Sequence, residues 1–457
     1  MRGALALVLA FPLSHVPTFP RLSAQETSLT IYADGRVLVR RTLPISVSRG
    51  ASTISVDLGV RDLDGSSLLS LDTGVRVSGV HISTASGLDG SLRRSLGTDL
   101  LFRVGSDTAP RYVRGRVLSV NPPAVRIDGG VMYGWPGTPV FPDSMVQLLP
   151  RFELTLDAAR PANALHLLFM SSGLGWHATY AVMLPRGGEG RADISGNAQM
   201  SNNGIVSITG AQVQLVAGDV RAAPRPAFMA GRAQVSAMVA QGDAQYGMIE
   251  EGVGGVHIYS LPGTVDFAPG ESQVVALFPA TSAGVTMELA LQNSGYGYNS
   301  QWPDTQRDLH PSISYRIHRP ASSDFGRIVV PGGTMRVFEP DSAGRPQLLG
   351  EVVIPHTPAG RDILATTGTS FDVTAQRTQT DYKPVAQRQS ESAYRVDFQN
   401  ASARAMTVLV TDVCNGHCEV LESSVPAEQG PATMVGFKVT VPANGSAMLT
   451  YRVRARW

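Results

Sequence analysis

Apolar and polar side chains alternate, residue by residue, along most of this chain. Ile54, Val56 and Leu58 interleave with Thr53, Ser55 and Asp57; Phe152, Leu154 and Leu156 with Glu153 and Thr155; and Val285, Met287, Leu289 and Leu291 continue the pattern. A period of two places one set on a single face of an extended backbone, so each run predicts a half-buried β-strand. The same reading applies to Ile313, Tyr315 and Ile317, to Tyr394, Val396 and Phe398, to Met406, Val408 and Val410, and to Phe437, Val439 and Val441. In the last run Leu449, Tyr451, Val453, Ala455 and Trp457 face one way, and Arg452, Arg454 and Arg456 the other. Val75 and Val77 change phase to Val80 and Ile82 across Ser78-Gly79, which predicts a β-bulge.

Turn signals separate the runs at short intervals: Asp34-Gly35, Asp128-Gly129-Gly130, Asn202-Asn203-Gly204, Pro331-Gly332-Gly333 and Ala443-Asn444-Gly445. No sustained heptad and no strand–helix alternation appears. The fold class expected is therefore all-β, with an antiparallel β-sandwich as main domain and a smaller N-terminal β domain. Residues 25–150 form the smaller region, including a polar loop at 83–111. Pro136, Pro139, Pro142 and Pro150 lead into the sandwich at 151–457, which is interrupted by an irregular Ala/Met/Gly-rich insertion at 221–256.

Residues 1–24 read as a signal peptide: Arg2, an apolar run from Gly3 to Leu13, and Ser23-Ala24 before Gln25. The run is too short to span a bilayer, and no later segment supplies a transmembrane span. Export to the periplasm or the extracellular space is expected. Cys414 and Cys418 flank the turn signal Asn415-Gly416-His417. In an oxidising compartment they read as a disulfide. Cys414, His417 and Cys418 as metal ligands is the competing reading, but it lacks a fourth ligand. Thirty-eight basic and 37 acidic side chains leave a net charge of +1, which argues against a nucleic-acid partner.

Several segments, in order, resemble a bacterial family called domain of unknown function 4139, related to mucoidy-inhibitor proteins. Ser172 to Tyr180, reading SGLGWHATY, is similar to that family's "gl.W.a.Y" strand. Asn203-Gly204 with Leu215 to Gly218, Tyr259 to Gly263 with Ala268 to Glu271, Pro331 to Val337, and Gly368 with Phe371-Asp372-Val373 resemble further segments of it. The likeness runs from Phe152 to Trp457 and implies a β-sandwich in the cell envelope, with no catalytic residues to carry over. Two departures stand out: Val330 replaces a leucine, and 83–111 lacks the coiled coil that many relatives insert. The motif residues also have packing explanations. Trp176 and Tyr180 share a strand face, Gly218 and Gly263 fall at turns, and Asp372 is placed to bond local backbone amides.

Phosphate-loop, zincin, nucleophile-elbow and calcium-loop motifs are all missing, so no cofactor and no catalytic residue is assigned. His166, His177 and His318 read as sheet-surface histidines. Tyr296, Tyr298 and Trp302, with Asn293, Asn299, Asp304 and Asp308, form a candidate ligand loop in which rings would stack on sugars and polar groups bond hydroxyls. The chain thus reads as an exported envelope protein that binds or scaffolds an envelope protein or glycan. The alternative is a secreted hydrolase or carbohydrate-binding protein acting on envelope glycan or peptide.

Overall fold

The computed structural model describes residues 27–457 except 84, 149, 205, 222–239, 242–247, 294–297, 299, 302–304, 415 and 429. The signal segment at 1–24 lies outside the described residues, as does most of the 221–256 insertion. The chain is all-β. Among the described residues the α-helices are the short Gly87–Ser95 and Asp324–Arg327, and none is long and apolar enough to cross a membrane.

Two compact units share the chain: one takes in 38–172 and 208–212, the other 30–37, 173–207 and 213–457. The division thus falls after Ser172 instead of at Pro150. The reason lies in strand pairing: Arg151–Ala158 runs between Gly50–Val56 and Val75–Ser83, so Phe152, Leu154 and Leu156 bury in the first unit. Along that ladder Thr155 faces Gly79 and Leu156 faces Val77, which leaves Ser78 unpaired as the bulge.

The polar segment 83–111 is not a loop. It contains the helix Gly87–Ser95 and the strand Asp99–Val104. The helix carries no apolar stripe because its inner face is made of Gly90, Ser91 and Ser95, tied by Ser91 Oγ and Arg94 Nε to the Met145 carbonyl, each at 3.0 Å. Beside it, Thr138–Val140, Asp99–Val104, Arg111–Val120, Pro123–Ile127 and Gly130–Tyr133 form a five-stranded sheet in that order. Leu100, Phe102, Val117 and Val125 line its inner face, with Trp135 stacked on Phe102.

In the second unit seven strands follow one another as Pro346–Ile354, Gly333–Pro340, Leu174–Met183, Gly190–Asn202, Ser272–Asn293, Ser312–Ile317 and Ile363–Thr369. They curl until the first and last lie side by side, and the strand approach at Gly350 is so close that a Cβ there would sit 2.7 Å from the Thr367 carbonyl oxygen. Tyr180, Val182, Ile194, Phe278, Met335 and Val337 are buried within. Fully buried Arg319 belongs to the same core: its Nη1 donates to the Arg361 and Pro358 carbonyls at 2.9 and 3.2 Å, its Nη2 to those of Phe325 and Ile328, and it lies over the Phe325 ring. Burial lowers the Arg319 pKa, with Tyr180 and Asp362 opposing the shift.

The 22-residue strand Ser272–Asn293 continues into a sandwich. Its C-terminal half runs parallel to Met406–Val413, which pairs with Met434–Val441. Facing this layer are Gln306–Leu309, Val373–Ala386, Gln389–Asn400, Gly445–Arg456 and His417–Ser423. Val408, Val410, Phe437 and Val439 from one layer meet Val396, Phe398, Leu449 and Val453 from the other in one apolar core. Trp457 departs from expectation: it lies just past the last paired residue, Arg456, and is exposed.

Candidate functional site

Of the candidate ligand loop, Tyr296, Trp302 and Asp304 lie outside the described residues, as does Asn299. Tyr298 is described and is 1 % exposed, so its ring offers no platform to a sugar. Its hydroxyl donates to Asp412 Oδ2, and its carbonyl accepts from Ser390 Oγ. Asp412, itself 1 % exposed, also accepts from Asn293 Nδ2 at 2.6 Å, Tyr451 Oη at 2.5 Å and Arg377 Nη2 at 2.8 Å. The Arg377 guanidinium lies 3.8 Å from the centroid of the Tyr394 ring. A buried carboxylate needs hydrogen-bond donors and a counter-charge, and this set supplies four donors, three on Oδ2 and one on Oδ1, with Arg377 among them. Burial opposes the Arg377 charge, yet Asp412 and the surrounding tyrosines outweigh it and raise its pKa. Burial, and then Asp412, push the Tyr298 and Tyr451 hydroxyls well above their usual range, so both stay protonated as donors. The cluster is a structural anchor. Asp308 is separate from it, in a strand end with φ 54°.

A second constellation lies on an exposed face of the second unit. His318 Nδ1 is 3.1 Å from Asp362 Oδ2, and its Nε2 is 3.1 Å from Thr286 Oγ1. Local folding explains the arrangement. Thr286 falls on the outward phase between buried Val285 and half-buried Met287, and the His318 backbone N–H donates to the Gly284 carbonyl at 2.8 Å, which holds the imidazole beside Thr286. Asp362 is fixed by the Arg319 backbone N–H at 2.9 Å. That bond, helped by His318 and Arg316 and opposed by burial, keeps the Asp362 carboxyl below its usual pKa. His318 borders an open groove of about 930 Å³ whose lining includes Arg191, Asp193, Ser282, Ser323 and Asp324. Hydroxyl, imidazole and carboxylate stand in the order of a nucleophile, a base and an orienting acid.

Sequence reasoning placed His318 on the sheet surface but missed Thr286 and Asp362, which come from distant segments. The Asp412 cluster did leave a trace: Asn293 continues the buried phase of Leu289 and Leu291, and Asp412 that of Val408 and Val410. A polar residue on the core phase of two strands marks a buried polar pair.

Cys414 and Cys418 are joined as a disulfide with Cα atoms 6.2 Å apart. His417 is exposed, and among the described residues no three His, Cys, Asp or Glu side chains gather as a metal site. His166 is bonded to Asp72 at 2.6 Å. Of the motif residues, Trp176 and Tyr180 are buried, Gly218 and Gly263 have φ of 124° and 74°, and Phe371 is 92 % exposed. A scan against protein-family models and a search of curated proteins both find no match to this chain.

Proposed function

We propose that this chain is an exported bacterial envelope protein that works by binding or scaffolding, and that its contact element is the edge strand Gly130–Tyr133. The observation that carries the reading is the state of that edge. All four residues are exposed, and three of them are Val131, Met132 and Tyr133. The Gly134 N–H donates to the Pro123 carbonyl at 2.9 Å, so by antiparallel alternation Val131 and Tyr133 turn their own N–H and C=O groups to the open side. Folded proteins ordinarily blunt such an edge with charge, proline or a covering element. An incoming strand would pair with those groups while its side chains pack on the exposed apolar ones. The order of segments shared with the domain 4139 family, and the signal-like N-terminus, support the envelope location. Retention of envelope proteins on immobilised wild-type and Val131→Pro chains tests it: a partner held by the first and lost by the second is expected, and equal retention would refute the edge as contact element.

A hydrolase acting on envelope glycan or peptide is the second reading, and the Thr286–His318–Asp362 line, whose His318 borders an open groove, favours it. It requires turnover of such substrates that disappears in Thr286→Ala and in His318→Ala; persistence in both removes it.

A further inference from the structure

The five-stranded sheet of the first unit has a second distinctive surface, its outward face. Period two along Arg111–Val120 buries Gly115 and Val117 and turns Tyr112, Arg114, Arg116 and Leu118 outward. On the neighbouring strand Arg126 lies directly opposite Arg116 in the ladder, and Val131 lies opposite Arg126. Like charges facing each other across a ladder are destabilising, so folding alone gives no reason for this pair. Arg114, Arg116 and Arg126 are exposed and make no ion pair within 4.0 Å among the described residues. Asp99 shares the row, opposite Arg116, without bonding to it, while Arg103 is occupied by Asp107 at 2.7 Å. Tyr112 and Tyr133 stand on the same face, 58 % and 85 % exposed.

We propose that this face binds an acidic polysaccharide, with Arg114, Arg116 and Arg126 taking carboxylates of successive sugars and Tyr112 and Tyr133 stacking on sugar rings. Three features of the surface select that ligand. The guanidinium fork matches a planar carboxylate with two parallel hydrogen bonds. Positions two apart on a strand are separated by roughly 6.6 Å, and facing positions by about 5 Å, so the three side chains spring from regularly spaced points suited to a repeating polyanion. Exposed phenol rings offer an apolar face and a polar tip, as sugar recognition requires. The proposal concerns side chains on the sheet face and does not rest on the open-edge reading.

The test uses the full chain and its Arg114→Gln/Arg116→Gln/Arg126→Gln variant, with polygalacturonate and hyaluronate as probes. Dextran, phosphatidylglycerol vesicles and oligothymidylate serve as comparisons. Expected are binding to at least one uronate polymer but not to dextran, weakening as salt rises, and a loss of about tenfold or more in the triple variant. Circular dichroism of that variant should match the wild type, and its thermal unfolding should come at the same temperature or higher, because the three side chains are exposed and the Arg116–Arg126 repulsion is removed. Arg→Lys replacements at the three positions should restore binding only in part, since lysine keeps the charge but not the fork. The proposal is overturned by absence of binding to both uronates, by equal binding of the triple variant, or by tighter binding to vesicles or oligothymidylate. The triple variant leaves the edge strand Gly130–Tyr133 unchanged, so loss of polygalacturonate binding in it with envelope-protein retention intact separates this outcome from the fate of the edge reading.

Discussion

Asp412 draws its donors from three separate stretches of chain: Asn293 with Tyr298, Arg377, and Tyr451. Removing one member of a buried ion pair strands the other, at a cost of about 3–5 kcal/mol, whereas replacing both by apolar side chains is often near neutral. Asp412→Ala should therefore lower unfolding free energy by roughly that amount, and Arg377→Met/Asp412→Leu by clearly less, as read from urea denaturation. Equal losses would show that the carboxylate is not held mainly by the guanidinium. Asp362 behaves differently because it is partly exposed and its pKa is lowered, chiefly by the Arg319 N–H. A lowered carboxyl contributes fully above its unfolded value and loses that contribution as pH falls through the folded one. The stability difference between wild type and Asp362→Asn should shrink as pH falls below about pH 4. At this scale the sequence speaks through phase: Asn293 and Asp412 sit where Leu291 and Val410 predict apolar residues. It says nothing of Thr286 meeting His318, because outward phases carry polar residues everywhere and only the ladder decides which of them touch.

Elements were legible wherever one face is buried and the other wet, because that contrast writes the alternation. The strands at 152–156, 394–398 and 449–455 all bury the set that alternation selects, and 285–291 does so except at half-buried Met287. The helix Gly87–Ser95 was invisible for the opposite reason: glycine and serine pack its inner side through hydrogen bonds, so no hydrophobic period exists to read. Glycine at 333 shows how a motif residue can serve an element. Gly333 faces Ala178 in a parallel pair, and a Cβ there would fall 2.2 Å from the Ala178 carbonyl oxygen, a backbone atom that cannot swing aside. Gly333→Ala should force the two strands apart and destabilise by about 1–3 kcal/mol, as overpacking does. Gly344→Ala is not an equivalent control, since its φ of 80° adds strain even though space is open. Gly368→Ala is the better one: nothing lies within 4 Å of its Cβ position, and its denaturation midpoint should shift little by comparison.

For the molecule as a whole, the decisive property is how far apart in sequence its paired strands lie. Phe152 pairs with Val56, Ala178 with Gly333 and Leu289 with Val408, and two of these three ladders close over more than a hundred residues. Each unit is also discontinuous, the second taking residues 30–37 and the first taking 208–212. Loop-closure entropy must be met before such contacts return anything, and chains of this size pass through partly packed states with open strand edges. Refolding from urea should consequently show more than one phase, the slowest on the order of seconds or longer, as monitored by tryptophan fluorescence. Trp176 is buried in the strand Leu174–Met183, whose parallel partner Gly333–Pro340 lies far along the chain, so its signal should report the late closure. Replacing the other three tryptophans by phenylalanine isolates that signal. A single millisecond phase would mean that local contacts suffice to bury Trp176, contrary to the ladder that holds it.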